Sequence, residues 1–207
     1  MIRFVLASSS PARLATLRTA GVVPQVVVPD VDEDAVLAAA VEERGKLTPA
    51  ESALLLGRAK AEAVRDGGAL VLGCDSVLEL DGQAYGKPTN AAEAVDRWRS
   101  MRGRSGVLHT GHWLVDHRDE TGTRSAGDVA STTVHFADLT DEEIEAYVAT
   151  GEPLRVAGAF TIDGLGGPFV TGVEGDHHAV VGLSLPLLRT LLAELDVRWH
   201  SLWAPER

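Results

Sequence analysis

The sequence predicts an α/β protein: a mixed, twisted β-sheet with flanking helices. Apolar strand-like runs interleave with capped helical segments along the chain. Two long alternating segments follow one another with only a polar loop between them, which inserts a hairpin into that pattern. Neither an internal repeat nor a Pro/Gly/Ser-rich linker divides the chain, so residues 1–207 read as one domain with 198–207 as a tail.

The run Ile2 to Leu6 reads as a buried strand. Ala7 to Ser9 turn out of it, Ser10 caps a helix, Pro11 takes its first position and Gly21 ends it. Val22 to Val28 reads as a strand and Pro29 to Asp34 as an acidic turn. Thr48-Pro49-Ala50-Glu51 is a capping box for a helix that carries Leu54, Leu55, Ala59 and Val64 and stops at Gly67-Gly68. Ala69 to Leu72 reads as a central strand ending at Gly73-Cys74-Asp75-Ser76, followed by a second strand through Leu80 and an Asp81-Gly82 turn. Asn90-Ala91-Ala92-Glu93 is another capping box, for a helix with Val95, Trp98 and Met101 that ends at Gly103. Gly106 to Asp116 and Asp128 to Ala137 alternate as an exposed hairpin around the polar loop His117 to Gly127. Thr140 to Glu143 cap a helix to Ala149. A glycine-rich stretch, Ala157 to Gly167, then precedes a short strand around Phe169, and a last helix runs from Pro186 to about Leu195.

A net charge of −11 repels polyanions and argues against a nucleic-acid partner, so a phosphate ligand has to be met by local cations or by metal. Lysine is scarce, confined to Lys46, Lys60 and Lys87, which makes the last two informative because they stand beside other candidate residues. The single cysteine, Cys74, excludes an internal disulfide and a cysteine-based zinc site. Apolar runs are too short to span a bilayer and no signal-peptide pattern is present, so the expected location is cytoplasmic, without a membrane partner.

Arg13 sits in the first turn of its helix, where free N–H groups and the helix dipole disfavour a cation unless an anion arrives. With the small-residue loop Ser8-Ser9-Ser10 it forms a candidate phosphate cradle; taken alone, an Arg pointing into solvent or paired with a distant acid fits equally well. Asp75 is read at a strand end, where an acid or base can be held with controlled pKa; a turn aspartate is the plain alternative. Lys87 lies between two backbone-restricting residues, Gly86 and Pro88. Glu33, among four acids in five residues, is either part of a solvated face or a ligand for a divalent ion. His109 and His112 point to opposite faces of a strand, and His177 and His178 do the same if extended, so the spacing argues against zinc. There is no G-x-S-x-G elbow, Walker A sequence or G-x-G-x-x-G turn.

Taken in order, these pieces resemble the Maf family of nucleoside triphosphate pyrophosphatases. LASSSPARLATL resembles its opening motif, Pro29 to Glu33 its acidic turn and Arg58-Ala59-Lys60-Ala61 its lysine helix. Gly73-Cys74-Asp75-Ser76-Val77 with Gly86-Lys87-Pro88 resembles its catalytic segment, and Gly182-Leu183 before Leu185-Pro186 its closing motif. The resemblance implies a mixed α/β fold of Maf/ITPase type with two lobes around a substrate cleft, commonly dimeric. It implies hydrolysis between the α- and β-phosphates of a nucleotide, with Mg²⁺ or Mn²⁺. Asp75 falls on the catalytic acid position and, with Glu33, on the metal-binding carboxylates. Arg13, Lys60 and Lys87 fall on phosphate-contacting positions, and Ser8, Ser76 and Asp163 complete the expected substrate-binding set.

Departures concern the base. Ala12, Ser76 and Asp163 stand where one subgroup, acting on dTTP and UTP, has Arg, Thr and Gln, and another, acting on 7-methyl-GTP, has Trp, Gln and Glu. Asp163 accepts but cannot donate, which suits the N–H edge of guanine better than the acceptor-rich face of thymine. Val156 replaces the Lys expected before Ala157-Gly158 in the subgroup acting on dTTP and UTP, and Gly106 replaces a His. A nucleotide-binding regulator of septum formation with little turnover is the competing reading.

Overall fold

The computed structural model describes residues 2–119 and 122–204. β1 (Arg3–Ala7) pairs in parallel with β2 (Gln25–Val27) on one side and with the start of β3 (Ala69–Leu80) on the other. β3 turns through Asp81 and Gly82, both at positive φ, into the short antiparallel β4 (Gln83–Tyr85). Its opposite edge pairs antiparallel with β5 (Ser105–Asp116), which pairs with β6 (Arg124–Phe136), which pairs with β7 (Val170–Glu174). The product is a mixed seven-stranded sheet, β2-β1-β3-β5-β6-β7, with β4 attached to β3.

Alternation along β1 and β3 decides which helix covers which face. Leu6 and Leu72 meet Leu17 of α1 (Pro11–Thr19) and Leu188 and Leu192 of α7 (Leu185–Glu194). Val5 and Val71 face the other way, toward Ala61 of α3 (Pro49–Ala63). Farther along β3, Leu78 packs with Phe136, with Trp98 of α4 (Ala91–Met101) and with Ile144 and Tyr147 of α5 (Asp141–Ala149). α3 lies unusually close to the sheet. A Cβ on Gly73 would fall 2.2 Å from the Gly57 carbonyl oxygen, and one on Gly111 2.3 Å from that of Ala53. Glycine at both positions lets the helix seat there.

Several elements differ from the sequence reading. The acids after Pro29 lead into a helix, α2 (Glu33–Arg44), capped by Asp32, which accepts the Ala35 N–H at 3.0 Å. β2 is shorter than 22–28, and α3 ends at Ala63 instead of continuing to Gly67. β3 is one unbroken strand, so Asp75 lies in its interior and not at a strand end. Asn90 caps α4, but the Glu93 carboxylate turns to the Thr89 N–H and hydroxyl, so the reciprocal half of the box is missing. Only half of the hairpin is exposed: β5 is flanked on both edges, with Thr110 and His112 fully buried, whereas β6 is exposed or half-buried along most of its length and meets β7 only at its end. β6 begins at Arg124, and Glu120 and Thr121 of the expected loop lie outside the described residues. Gly167–Phe169 is a 3-10 turn preceding β7. His177 and His178 are not extended but open a short helix, α6 (His177–Val181).

In the tail, Trp199 packs on the α1/α7 core, and Trp203 makes a β-bridge to Val22; residues 205–207 lie outside the described set. Among the described residues no helix is long and apolar enough to cross a membrane.

Candidate active site

β1 stops opposite Gly73, and the antiparallel β4 reaches only as far back as Leu78, which faces its last residue, Tyr85. Between them Cys74 to Val77 keep a strand partner only on the β5 side, among the described residues. A cleft of about 810 Å³ opens at this gap, and Ser8, Arg13, Glu33, Lys60, Asp75, Ser76, Lys87 and Asp163 all line it. Eight positions dispersed through the chain thus share one cavity, because the sheet splits there while its far edge holds β3 rigid.

Arg13 is neither in solvent nor paired with an acid among the described residues. It is buried, donating from Nε to the Gly182 carbonyl (2.7 Å), from Nη1 to the Cys74 carbonyl (2.8 Å) and Ser8 Oγ (3.2 Å), and from Nη2 to Ser76 Oγ (3.2 Å). Four of its five N–H donors are thereby used, and one remains on Nη2. The guanidinium clips the loop after β1, the open edge of β3 and the end of α6 together, and it brings an unneutralised positive charge into the cleft wall.

Ser76 Oγ lies 3.0 Å from Thr110 Oγ1, which lies 2.9 Å from the Ala179 carbonyl. A carbonyl only accepts, so Thr110 donates to it and Ser76 must donate to Thr110. With Arg13 donating to Ser76, the chain of donors has one direction, and what Ser76 retains for a ligand is an acceptor lone pair.

Lys60 projects from α3 to Asp75 and also contacts Glu33 Oε1 at 2.8 Å. One ammonium therefore joins two carboxylates from elements far apart in the chain. Burial pushes the Asp75 carboxyl above its usual range, with Lys60 and then Arg13 opposing that rise. Such a group is a stronger proton acceptor than an ordinary surface aspartate. Glu33, at the start of α2, is half-exposed, and its oxygen and that of Asp75 converge on one cation. They are the residues that could hold a divalent ion, as hard oxygen donors suited to Mg²⁺ or Mn²⁺. Lys87 and Asp163 are exposed on the cleft margin.

The sequence reading missed Arg155, which also lines the cleft and has no acidic partner among the described residues. Its adjacency to Val156 was the available signal. Thr110 was missed for a different reason: its strand was read as exposed, so its hydroxyl had no apparent task. Cys74 is buried, and that burial pushes its thiol up to about 12, consistent with a small core residue rather than a nucleophile. Away from the cleft, Asp176, His177 and His178 bring one donor atom each within 4.8 Å of one another, a grouping that the extended reading did not anticipate.

The Maf-like protein family profile matches residues 3–195. A protein of Salinispora tropica named nucleoside triphosphate pyrophosphatase is 57% identical, the match covering 98% of this chain and 88% of the relative. Proteins of the same name from Streptomyces coelicolor, 56% identical, and Leifsonia xyli subsp. xyli, 54% identical, are matched over 98% of this chain and over 95% and 97% of their own lengths. Matched from its first strand through its last helix, this chain belongs to the Maf-like protein family.

Proposed function

We propose that the protein hydrolyses nucleoside triphosphates between the α- and β-phosphates, releasing a nucleoside monophosphate and pyrophosphate. The observation that carries this reading is the buried Asp75 carboxylate, of raised pKa, held by Lys60 in a cleft that also carries the unneutralised cations Arg13, Lys87 and Arg155. The names of the relatives support the same reaction.

In the proposed step Asp75 takes a proton from water as the water oxygen bonds to the α-phosphorus. The bond from that phosphorus to the bridging oxygen breaks, and pyrophosphate leaves with the electron pair. Arg13 and Lys60 stabilise charge near the attacked phosphate from fixed positions, and Lys87 and Arg155 meet the departing end. Glu33 and Asp75 would hold Mg²⁺ or Mn²⁺, which when bound neutralises charge on the phosphate oxygens. Asp163, an acceptor at the cleft margin, selects guanine, whose adjacent N1–H and N2–H₂ donors match one carboxylate, over thymine or uracil, whose single N3–H is flanked by two carbonyl acceptors.

Pyrophosphate release from a panel of nucleotides tests the reaction. Asp75→Asn should lower kcat by about 10²–10⁴-fold, the range for loss of a general base, while nucleotide binding persists. Turnover by Asp75→Asn equal to that of the parent would remove Asp75 from this role. Tight binding by the parent without pyrophosphate release, with either metal, would replace the enzyme by a nucleotide-binding regulator.

A further inference from the structure

Asp163 belongs to a segment with little regular structure, and among the described residues its carboxylate has no hydrogen-bond partner. Its position is therefore set by the backbone around it. That backbone is tied to one residue outside the cleft lining, Glu152, which follows α5. Glu152 Oε1 accepts from Thr161 Oγ1 (2.6 Å), Tyr147 Oη (3.0 Å) and the Gly166 N–H (3.1 Å), and Oε2 accepts from the Leu165 N–H (3.1 Å). Tyr147 Oη accepts in turn from the Thr161 N–H (3.2 Å). The two ends of the loop, Thr161 and Leu165-Gly166, are thus joined through one carboxylate, with Asp163 at the bend between them.

The sequence of the loop fits this closure. A Cβ on Gly164 would lie 2.6 Å from Glu152 Oε2, and one on Gly166 would lie 2.4 Å from Tyr147 Oη. Both glycines are needed for the loop to fold down onto the carboxylate and phenol. The preceding segment is anchored as well: Trp98 Nε1 donates to the Ala159 carbonyl (2.8 Å), and the Gly158 N–H donates to the Gly86 carbonyl (3.1 Å), beside Lys87.

We infer that Glu152 is a positioning residue for base selection, its carboxylate closing the 161–166 loop so that Asp163 is presented to the base. This rests on the reading of Asp163 given above. Four donors converge on Glu152, and a carboxylate is the side chain that can accept them all. Its pKa stays below the ordinary glutamate range: burial raises it, but the hydrogen bonds from Thr161, Leu165, Tyr147 and Gly166 together outweigh that. Glu152→Gln keeps the shape but replaces one acceptor by an NH₂ group, so at least one loop N–H faces a donor and the closure loosens.

The test is the ratio of kcat/KM for GTP to that for UTP in the parent, Glu152→Gln, Asp163→Ala and the double variant, with thermal melts to establish folding. Glu152→Gln should lower the ratio by about tenfold, mainly through loss on GTP. In the Asp163→Ala background it should change the ratio by less than about twofold. Tyr147→Phe, which keeps the ring in the core and removes one donor, should shift the ratio in the same direction by less, and it serves if Glu152→Gln does not fold. An unchanged ratio in Glu152→Gln, alongside a shift in Asp163→Ala, overturns the role of Glu152 and leaves that of Asp163 standing. Equal shifts from Glu152→Gln in the parent and in Asp163→Ala also overturn it, because the effect would not pass through Asp163. An unchanged ratio in Asp163→Ala removes the base-reading assignment itself, and this inference with it.

Discussion

Lys60 touches both Asp75 and Glu33, so its removal acts on the site through charge as well as contact. It lowers the Asp75 pKa against the larger effect of burial, and Lys60→Met takes that opposition away. The acid limb of the kcat/KM profile should then move to higher pH than in the parent; an unmoved limb would mean that Asp75 is not the titrating base. His112 makes a prediction of a different kind. Its Nδ1 donates to the Thr110 carbonyl (2.9 Å) and its Nε2 accepts the Ser184 N–H (2.8 Å), so the ring must be neutral. Burial lowers its pKa from 6.5 to about 4, the Thr110 hydrogen bond opposing. The folded value lies below the unfolded one, so the stabilisation is complete above the unfolded pKa and drains away as pH falls through that window. The loss is about 3 kcal/mol by pH 4, and melts of His112→Asn should lack that part of the pH slope. Arg13 was legible as anomalous from its place in a first helical turn, but its carbonyl partners, Gly182 and Cys74, come from remote segments that local sequence rules do not connect.

At the scale of elements, caps and turns were the legible signals, because each depends on a few adjacent residues. Thr48 and Thr140 form full capping boxes as their sequences require. α2 was not legible: only Ala40 is buried on it, so it carries no apolar stripe, and acids suited to a helix N-terminus also resemble a turn. Gly73 was read as the end of a strand, whereas it is the point where α3 approaches β3. Gly111 played the same part in β5, where small and polar residues imitated an exposed strand. Gly73→Ala should therefore destabilise by about 2 kcal/mol or more through overpacking against backbone, and it should impair activity by moving Lys60 with α3. Denaturant unfolding and pyrophosphate release measure the two effects. A Gly73→Ala variant as stable as the parent would show that α3 can shift at little cost.

At the scale of the whole molecule, the candidate cleft lies where the sheet is split, with the α1/α7 core on one side and the α4/α5 core on the other. A ligand bound across this gap would tie two cores that are otherwise joined through β3 and β5. A nucleotide whose α,β-bridging oxygen is replaced by methylene cannot be cleaved there, and at a hundredfold excess over its Kd it should stabilise the fold by about 2.7 kcal/mol. Glu33→Gln should reduce the part of that gain that depends on Mg²⁺ or Mn²⁺. Equal melting shifts with and without the metal would exclude Glu33 as a ligand.

By itself the sequence determined the α/β class, the capped helices and the list of residues worth bringing together, because caps, periodicity and motif spacing are properties of neighbouring residues. The tertiary structure decided that β3 runs unbroken past Asp75, that β1 and β4 leave its edge open at Cys74 to Val77, and that one cleft gathers the dispersed residues. It also decided which groups are already engaged, Arg13 by carbonyls and Lys60 by two acids. These outcomes follow from strand register and from the approach of α3 over Gly73 and Gly111, and both are set by contacts between segments distant in the chain.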